Sequence, residues 1–502
     1  MKKINLERFE SFDQKNQVIF YTVSLFFILL NIFTLTWTPL PWIDEATLID
    51  NPVNFVLDGE WRTTAGGGDK NNEVYSTYPP LYQFVLVPWI WLFGVSPTSC
   101  RSLSVVLVFF ISLLIYRLMR NKSIIKNNYT LILFLLLFWC GGMFSWIYRN
   151  GRVDILNMLC TTVFITGYYY NVKKWALALF AFLITISGIQ ACPYVLGILI
   201  YIYFFQSDKN RTKNAIFMFI AGALSGLLFM SVFFHLQGYL LSFYYRCFCF
   251  SGSFNNIISS LIPYIEKITL LDPAIKEALN KPAIVSATPF LQRILDAYAV
   301  NREYLILSVI NVIVYVGLLI KRKIIFNSPE TRLLFIIIIP LIMTVAGRFA
   351  GYYTWMCYIP AVVFAVYIVG KYGKQIYIPI VYGLMTAVIL ILGLPKTLIT
   401  SDKEAYNNIT TFIKKQNFSD ADKIASPYKS YYVIRNITKT CYFTGLYPLA
   451  LMPEDTKYIL TAEHDYGSEN TDLYIERCKA KGKTVYPIDS INSPKMVLYL
   501  VE

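Results

Sequence analysis

Histidine is nearly absent from this chain, and charged residues are scarce. The two histidines, His235 and His464, lie far apart, and no C-x-x-C sequence occurs. Because a structural zinc ion needs about four closely placed Cys or His ligands, we expect no zinc site. Charged residues make up 15% of the 502 residues and hydrophobic residues 56%. With a mean hydropathy of +0.49, this composition excludes an ordinary soluble protein and indicates a membrane protein.

The nine cysteines give little further information. Several fall in apolar segments, where a thiol is most simply a small packed side chain. Cys441 and Cys478 differ because both lie in the C-terminal region of mixed polarity. These two thiols can form a disulfide in an oxidising compartment or stay reduced, and the sequence leaves both alternatives open.

The apolar residues are concentrated in long windows. A helix needs about 20 residues to cross the roughly 30 Å hydrocarbon core of a bilayer, and about eleven windows suggest such spans. They lie near 18–38, 98–119, 129–148, 153–170, 175–190, 191–206, 214–235, 303–320, 331–347, 354–370 and 375–395. No small-residue cleavage site follows the first window, so we interpret it as a retained span and not as a signal peptide. The predicted fold class is a polytopic α-helical membrane protein.

The net charge of +14 raises the question of a nucleic-acid partner, and the positions of the basic residues answer it. Lys and Arg cluster before the first span and then in every second short connection, near 117–126, 173–174, 209–213, 321–332 and 371–374. This is the positive-inside pattern of cytoplasmic loops, so we expect no nucleic-acid partner. We expect a multi-pass protein of a bacterial inner (plasma) membrane, with a cytoplasmic N-terminus and an extracytoplasmic C-terminus.

On this topology three longer segments lie outside: 39–97, 236–302 and 396–502. The first contains "DEATLIDNPVNFVLDGEW" and the apolar "YPPLYQFVLVPWIWLFG", separated by the turn "TAGGGDKNN". We expect two helices along the outer membrane surface, where Trp and Tyr are favoured. From about 396 the apolar runs stop, and short helix and strand patterns alternate. We therefore predict a membrane domain, 1–395, and a small extracytoplasmic α/β domain, 396–502.

Arginine is unexpected in short outer connections, so the arginines found there are candidates for function. The segment "SWIYRNGRVDILNM" places Arg149, Arg152 and Asp154 at the outer end of the fourth span. The segment "VAGRFAGYYTWMCYIP" places Arg348, Tyr352 and Tyr353 at the outer end of the tenth. Because a guanidinium group binds phosphate in a bidentate manner and stays charged, we predict a site for an anionic lipid headgroup. Each arginine taken alone can instead simply reach the lipid phosphates of the membrane.

Two adjacent acids, Asp44 and Glu45, follow the first span in "TPLPWIDEATLIDNPVNFVLDGEW". One interpretation is helix capping by Asp44, with a helix that begins near Ala46, since Asp is a favoured N-cap residue and Glu suits the first turn. The other is catalysis, because a carboxylate at the edge of a low-dielectric region is well placed to accept a proton from a hydroxyl or amine. The two roles are compatible with each other. Asp154 at the membrane edge is a further candidate, which can orient the acceptor or hold a companion charge.

A resemblance lies in the order of the segments "DEA", "LDGEW", "YPPLYQF", "CRSLSVVLVFFISLLIYRLMR", "RNGRVDILNML" and "RFAGYYTWMCYIPAVVFAV". This order resembles that in polytopic glycosyltransferases that use polyprenyl-phosphate sugars. These are the protein O-mannosyltransferase superfamily and the lipid A aminoarabinose transferases. The resemblance covers roughly 18–395 and implies a GT-C fold, with outer juxtamembrane helices over a helix bundle, and inversion of the sugar's anomeric centre. Many relatives have Lys or His before "PPL", where this chain has Tyr78, so a positive contact to the phosphate or acceptor is either missing or supplied by Lys70 or Arg62.

The resemblance also assigns roles to the candidate residues. It implies that Asp44 acts as the base with Glu45 beside it, and that Asp154 is the second acid. It implies that the donor phosphate is bound by residues at the same membrane face, namely Arg149, Arg152, Arg348, Tyr352 and Tyr353.

The predicted function is therefore transfer of a sugar from a polyprenyl-phosphate donor to an extracytoplasmic acceptor, which is a lipid, a glycan or a protein. Lipid phosphate is a good leaving group, so positive charge on the phosphate and a base for the acceptor suffice in principle. No cofactor is required, and the need for a divalent metal ion stays open. The alternative is a transporter or flippase of a lipid-linked glycan, which predicts charges buried in mid-span and matched pairs of broken helices.

Overall fold

The computed structural model describes residues 6–65, 78–205, 208–244, 292, 299, 301–325, 328–346, 353, 355–439, 441–443, 455–463 and 468–502. Helices dominate the part before the C-terminal domain. In chain order they are α1 (Leu6–Thr34), α2 (Ile43–Asp58), α3 (Leu81–Phe93), α4 (Pro97–Asn121), α5 (Asn128–Cys140), α6 (Gly142–Arg149), α7 (Asp154–Tyr169), α8 (Lys174–Ser187), α9 (Ala191–Phe205), α10 (Lys209–Leu236), α11 (Leu240–Tyr244), α12 (Arg302–Ile320), α13 (Pro329–Ala346), α14 (Trp355–Tyr372), α15 (Tyr377–Leu392) and α16 (Leu394–Ile399).

Every apolar window of the sequence contains a helix, but the helices differ in length. Six stretches of the described residues are long and apolar enough to cross a membrane, and they lie in α1, α4, α10, α12, α14 and α15 with α16. A seventh results if α5 and α6 together form one bent span. The helices α8 and α9 have 14 and 15 residues, fewer than the about 20 that a full span needs. The chain is an integral multi-pass membrane protein, with fewer full-length spans in its described part than its eleven windows suggest.

The third window is broken at Gly141, which the prediction of a single span missed. The helices α5 and α6 meet there at an angle of 59°. A Cβ atom at Gly141 would collide with the Tyr358 side chain of α14, and one at Gly142 would collide with the Glu303 carboxylate of α12. Only glycine lets these side chains approach so closely. The bend sets the direction of α6, whose last residue is Arg149.

The two helices expected after the first span are present as α2 and α3. The helix α2 begins at Ile43, with Trp42 as its N-cap residue and no side-chain cap. The predicted cap at Asp44 is therefore wrong. Asp44 and Glu45 lie inside the first turn, where negative charge interacts favourably with the helix dipole. Most of α2 is buried, so this helix belongs to the core of the molecule.

The C-terminal region forms the predicted small α/β domain. Its helices are α17 (Ala405–Lys415), α18 (Tyr431–Arg435) and α19 (Ser468–Ala480), and its strands are β1 (Ile424–Ser426), β2 (Cys441–Phe443), β3 (Tyr458–Ala462), β4 (Val485–Asn492) and β5 (Lys495–Val501). The strand order in the sheet is β2-β1-β3-β5-β4. The strand β1 is parallel to β2 and β3, whereas β5 is antiparallel to β3 and β4.

The hydrophobic core continues from the membrane helices into this domain. Tyr431 and Tyr432 of α18 belong to the same buried cluster as residues of α2 and α4. A second, smaller cluster on the sheet contains Tyr474 and Cys478 of α19. Cys441 lies in the first cluster and Cys478 in the second, and both are free thiols. The disulfide that the sequence left open is therefore not formed.

Candidate active site

The first turn of α2 brings Asp44 to a buried arginine. Arg152 Nη1 donates to Asp44 Oδ2 at 2.7 Å, and Arg152 Nε donates to Asp154 Oδ2 at 2.7 Å. Arg152 lies in the connection between α6 and α7, and Asp154 is the first residue of α7. One guanidinium group thus bridges carboxylates from two separate helices, in the geometry of charge-assisted hydrogen bonds.

The three predicted acids differ in exposure. The Asp44 side chain is 36% exposed, whereas those of Glu45 and Asp154 are 1% and 0% exposed. Asp44 Oδ2 accepts the bond from Arg152, and within the described residues Asp44 Oδ1 makes no hydrogen bond. A general base must come within hydrogen-bonding distance of the proton that it removes. Asp44 is the only one of these three acids with a substantially exposed side chain.

Glu45 is held by a second arginine. Arg101, near the start of α4, donates from Nε to Glu45 Oε1 and from Nη2 to Oε2, both at 2.6 Å. Arg101 Nη1 also donates to the backbone carbonyls of Leu35 and Pro39, at 2.6 and 2.7 Å. This buried network connects the segment after α1 with α2 and α4. It fits a structural role for Glu45 better than proton transfer.

The C-terminal domain supplies the remaining contact to Glu45. Tyr432 Oη of α18 donates to Glu45 Oε1 at 2.7 Å. Burial, followed by the negative charge of Glu45, raises the pKa of Tyr432 well above its usual value. The phenol therefore stays protonated at neutral pH and remains a donor to Glu45.

Arg149 connects the end of α6 to the end of α1. Its Nη1 donates to Asn31 Oδ1 at 2.7 Å and to Thr34 Oγ1 at 3.0 Å. Its Nη2 donates to the carbonyls of Thr34 and Thr38, and its Nε also donates to Thr38 at 3.2 Å. The last carbonyls of a helix have no partner within the helix, and Arg149 binds that of Thr34, the last residue of α1. These contacts fit a helix cap better than a phosphate ligand.

Two tryptophans lie beside the bridged carboxylates. Trp42 packs against Trp146 of α6 with ring centroids 4.9 Å apart. The guanidinium carbon of Arg152 lies 5.7 Å from the Trp42 ring centroid, within the range of a cation–π contact. Both indoles are partly exposed. Trp42 therefore packs against Arg152, the residue that binds Asp44.

The other predicted site residues are described only in part. Arg348 and Tyr352 lie outside the described residues, and Tyr353 is partly buried against the hydrophobic core. Their predicted contact with the donor phosphate therefore stays a prediction. Among the described residues, no group of three or more His, Cys, Asp and Glu side chains is arranged to hold a metal ion.

Sequence reasoning missed Arg101 and Tyr432. A signal for Arg101 exists in "CRSLSVV", because a charge at the start of an apolar span is costly unless it is paired. Tyr432 lies in "SYYVIR", a segment that resembles any other part of a small α/β domain. Only the fold reveals its contact with α2, which is 387 residues away in sequence.

The helix bundle with its C-terminal α/β domain has the fold of the GT-C membrane glycosyltransferases, as the comparison with solved structures shows. The oligosaccharyltransferase of Archaeoglobus fulgidus in the apo form is similar with a TM-score of 0.51 and 11% sequence identity, and the match covers 89% of this chain and 69% of that one. At 11% sequence identity this similarity is evidence for the fold alone.

Two further solved structures resemble the chain more loosely. ArnT from Cupriavidus metallidurans bound to undecaprenyl phosphate has a TM-score of 0.48 and 12% identity, with 96% of this chain and 97% of that chain covered. The Archaeoglobus fulgidus oligosaccharyltransferase AglB, in complex with an inhibitory peptide and a dolichol-phosphate, has a TM-score of 0.46 and 10% identity, with 89% and 69% covered. No protein-family profile and no curated protein sequence matches this chain.

Proposed function

We propose that the chain is an inverting glycosyltransferase that moves a sugar from a polyprenyl-phosphate donor to an extracytoplasmic acceptor. The fold, shared with an oligosaccharyltransferase, supports glycosyl transfer, and the order of the sequence segments supports the polyprenyl-phosphate donor. The observation that carries the proposal is the Asp44 carboxylate, which is partly exposed while its partner Arg152 is fully buried. Such a group has one oxygen fixed and the other open to a substrate.

The proposed reaction uses Asp44 as a general base. Asp44 Oδ1 accepts the proton of an acceptor hydroxyl or amine, and the acceptor atom attacks the anomeric carbon. The bond between that carbon and the phosphate oxygen breaks on the opposite face, and polyprenyl phosphate leaves with the bonding electron pair. No covalent intermediate with the enzyme forms, so the anomeric configuration inverts.

The neighbouring groups have positioning roles in this proposal. Arg152 holds Asp44 Oδ2, and Asp154 holds Arg152 from the other side. A base that is fixed in this way loses little orientational freedom when substrate binds. Arg348 is proposed to bind the donor phosphate, together with Tyr352 and Tyr353, while Glu45 and Arg149 stabilise the fold around the site.

The proposal includes an orientation of the chain in the membrane. The site lies near the end of α1 and the start of α4, and the alternation of basic loops in the sequence puts that end outside the cytoplasm. Donor and acceptor would therefore meet at the extracytoplasmic face of a bacterial inner membrane. A periplasmic reporter enzyme fused after Glu502 is expected to be active, and activity of a cytoplasmic reporter alone would contradict this orientation.

The experiment is sugar transfer by the purified full-length protein in detergent, with a panel of polyprenyl-phosphate sugars and candidate acceptors. The readout is released polyprenyl phosphate. We expect release by the wild type with at least one donor and a loss of about 100-fold or more in Asp44→Asn, the range usual for removal of a general base.

The matched control is Asp472→Asn, the same chemical change at an exposed position of α19. It should release lipid phosphate at the wild-type rate. A folded Asp44→Asn protein that also transfers at the wild-type rate would contradict the assignment of the base. Absence of release with every donor, combined with translocation of a lipid-linked glycan across vesicles, would favour the transporter alternative.

A further inference from the structure

The short helix α18 of the C-terminal domain lies directly on α2, the helix that carries Asp44. Tyr432 Oη donates to Glu45 at 2.7 Å, and Tyr431 Oη donates to Asp50 Oδ1 at 2.5 Å. Both tyrosines are fully buried. Two consecutive residues of one domain thus bind two carboxylates on one helix of the other.

Arg435, the last residue of α18, extends these contacts along α2. Its Nε donates to Asn54 Oδ1 at 2.5 Å, and its Nη2 forms an ion pair with Asp58. Asp50, Asn54 and Asp58 are spaced by four residues, so they lie along one face of the helix. Side-chain contacts with α18 therefore occur at four positions of α2, from its first turn to its last.

Asp50 on α2 is also bound by the loop at 63–65. The Asp50 side chain is 0% exposed. It also accepts hydrogen bonds from the Thr63 hydroxyl at 2.7 Å, the Ala65 amide at 2.8 Å, the Thr64 amide and, at 3.4 Å, the Thr64 hydroxyl. Tyr428 Oη, just before α18, donates to the carbonyl of Ala65 at 2.7 Å. The same domain thus also fixes the loop that encloses Asp50.

The helix α2 needs such support because it contains Pro52. Proline in a helix interior has no N–H to donate and its ring clashes with the preceding turn, so the helix is intrinsically weak. The carbonyl of Leu48, four residues before Pro52, accepts a hydrogen bond from Gln83 Nε2 at 3.1 Å instead. The order of α2 therefore depends on neighbouring side chains and not on its own hydrogen bonds alone.

We propose that α18 is a positioning element for Asp44, so that the C-terminal domain is part of the catalytic unit. The catalytic part of this inference, that α18 positions a base, rests on the proposed function. The structural part, that α18 keeps α2 ordered, does not. Asp44 precedes Glu45 directly, and the 2.7 Å contact of Asp44 with Arg152 requires the first turn of α2 to stay in place. Loss of the Tyr432 bond loosens that turn and displaces the base from its acceptor.

The test uses three variants of the full-length protein. Tyr432→Phe and Tyr431→Phe each remove one hydroxyl that binds α2. The control, Tyr474→Phe, removes a hydroxyl of the same domain that bonds to Thr456 Oγ1 at 2.6 Å. Tyr474 is as deeply buried, at 1% exposure, but it lies in α19 in the smaller cluster on the sheet. All three changes lose a buried tyrosine hydroxyl without changing charge.

The first readout is amide hydrogen exchange of peptides from α2, compared with peptides from α4. We expect exchange in α2 to be about fivefold faster in Tyr432→Phe and Tyr431→Phe, the factor that corresponds to one net buried hydrogen bond. Exchange in α2 should be unchanged in Tyr474→Phe. Unchanged exchange in both α18 variants would overturn the inference, whatever the enzymatic activity.

The second readout is the kinetics of sugar transfer. We expect Tyr432→Phe to lower kcat about tenfold with an unchanged KM for the donor, because misplacement of a base affects the chemical step. Faster exchange in α2 with wild-type kcat would overturn the positioning role. Asp44→Asn is measured in the same series. An unchanged kcat in Asp44→Asn would reject Asp44 as the base, but the hydrogen-exchange result for α2 would still stand.

Discussion

Replacement of Arg101 by Met should destabilise the protein strongly. Arg101 and Glu45 are 0% and 1% exposed and are joined by two hydrogen bonds of 2.6 Å. Arg101→Met leaves the Glu45 carboxylate buried with Tyr432 as its remaining donor, and leaves the carbonyls of Leu35 and Pro39 without the guanidinium. Removal of one partner from a buried ion pair typically costs about 3–5 kcal/mol.

The matched comparison is the double variant Arg101→Met with Glu45→Leu. Removal of both charges avoids the buried unpaired carboxylate, and apolar replacement of a whole buried pair is often nearly neutral. We therefore expect the double variant to recover much of the lost stability. The assay is thermal unfolding in detergent, with the apparent Tm of both variants compared with the wild type. This reasoning would be refuted if the free energy of unfolding of Arg101→Met lay within about 0.5 kcal/mol of the wild-type value, the usual range of surface substitutions.

Three further variants test separate parts of the molecule. Arg149→Met should lower the apparent Tm without raising the KM for donor, because its contacts are with the end of α1; a raised KM at unchanged Tm would restore its predicted phosphate role. Gly141→Ala should cost about 1–3 kcal/mol through overpacking against Tyr358, and thermal unfolding at wild-type Tm would contradict the tight bend. Arg348→Ala should raise the KM for donor, and an unchanged KM would make it an interfacial anchor only.

The elements of the fold were largely predictable because their signals are local. Long apolar windows become helices, since a membrane leaves backbone polar groups no partners but those within the helix. Segments such as "KIASPY" and "KYILTAE" contain the strands β1 and β3, as their short apolar runs predict. The break at Gly141 was not predictable in this way, because it depends on Tyr358 and Glu303, which approach from distant helices.

The residue types of the candidate site were predictable from the sequence, but the partners that bind each acid were not. An acid after the first span and arginines at one membrane face are visible in the sequence, and the fold does join Asp44 to Arg152 and Asp154. The division of roles between Asp44 and Glu45 is not visible, since adjacent residues on a helix point in different directions. It follows from Arg101 and Tyr432, which bind Glu45 from distant parts of the chain.

The most direct test of the central claim measures donor binding and sugar transfer on the same preparations of wild type and Asp44→Asn. The donor is the polyprenyl-phosphate sugar that the wild type uses, and transfer is followed in single turnover as released lipid phosphate. If Asp44 is the base, the variant binds the donor with the wild-type Kd and its transfer rate falls by about 100-fold or more. Transfer by Asp44→Asn at the wild-type rate would contradict the account.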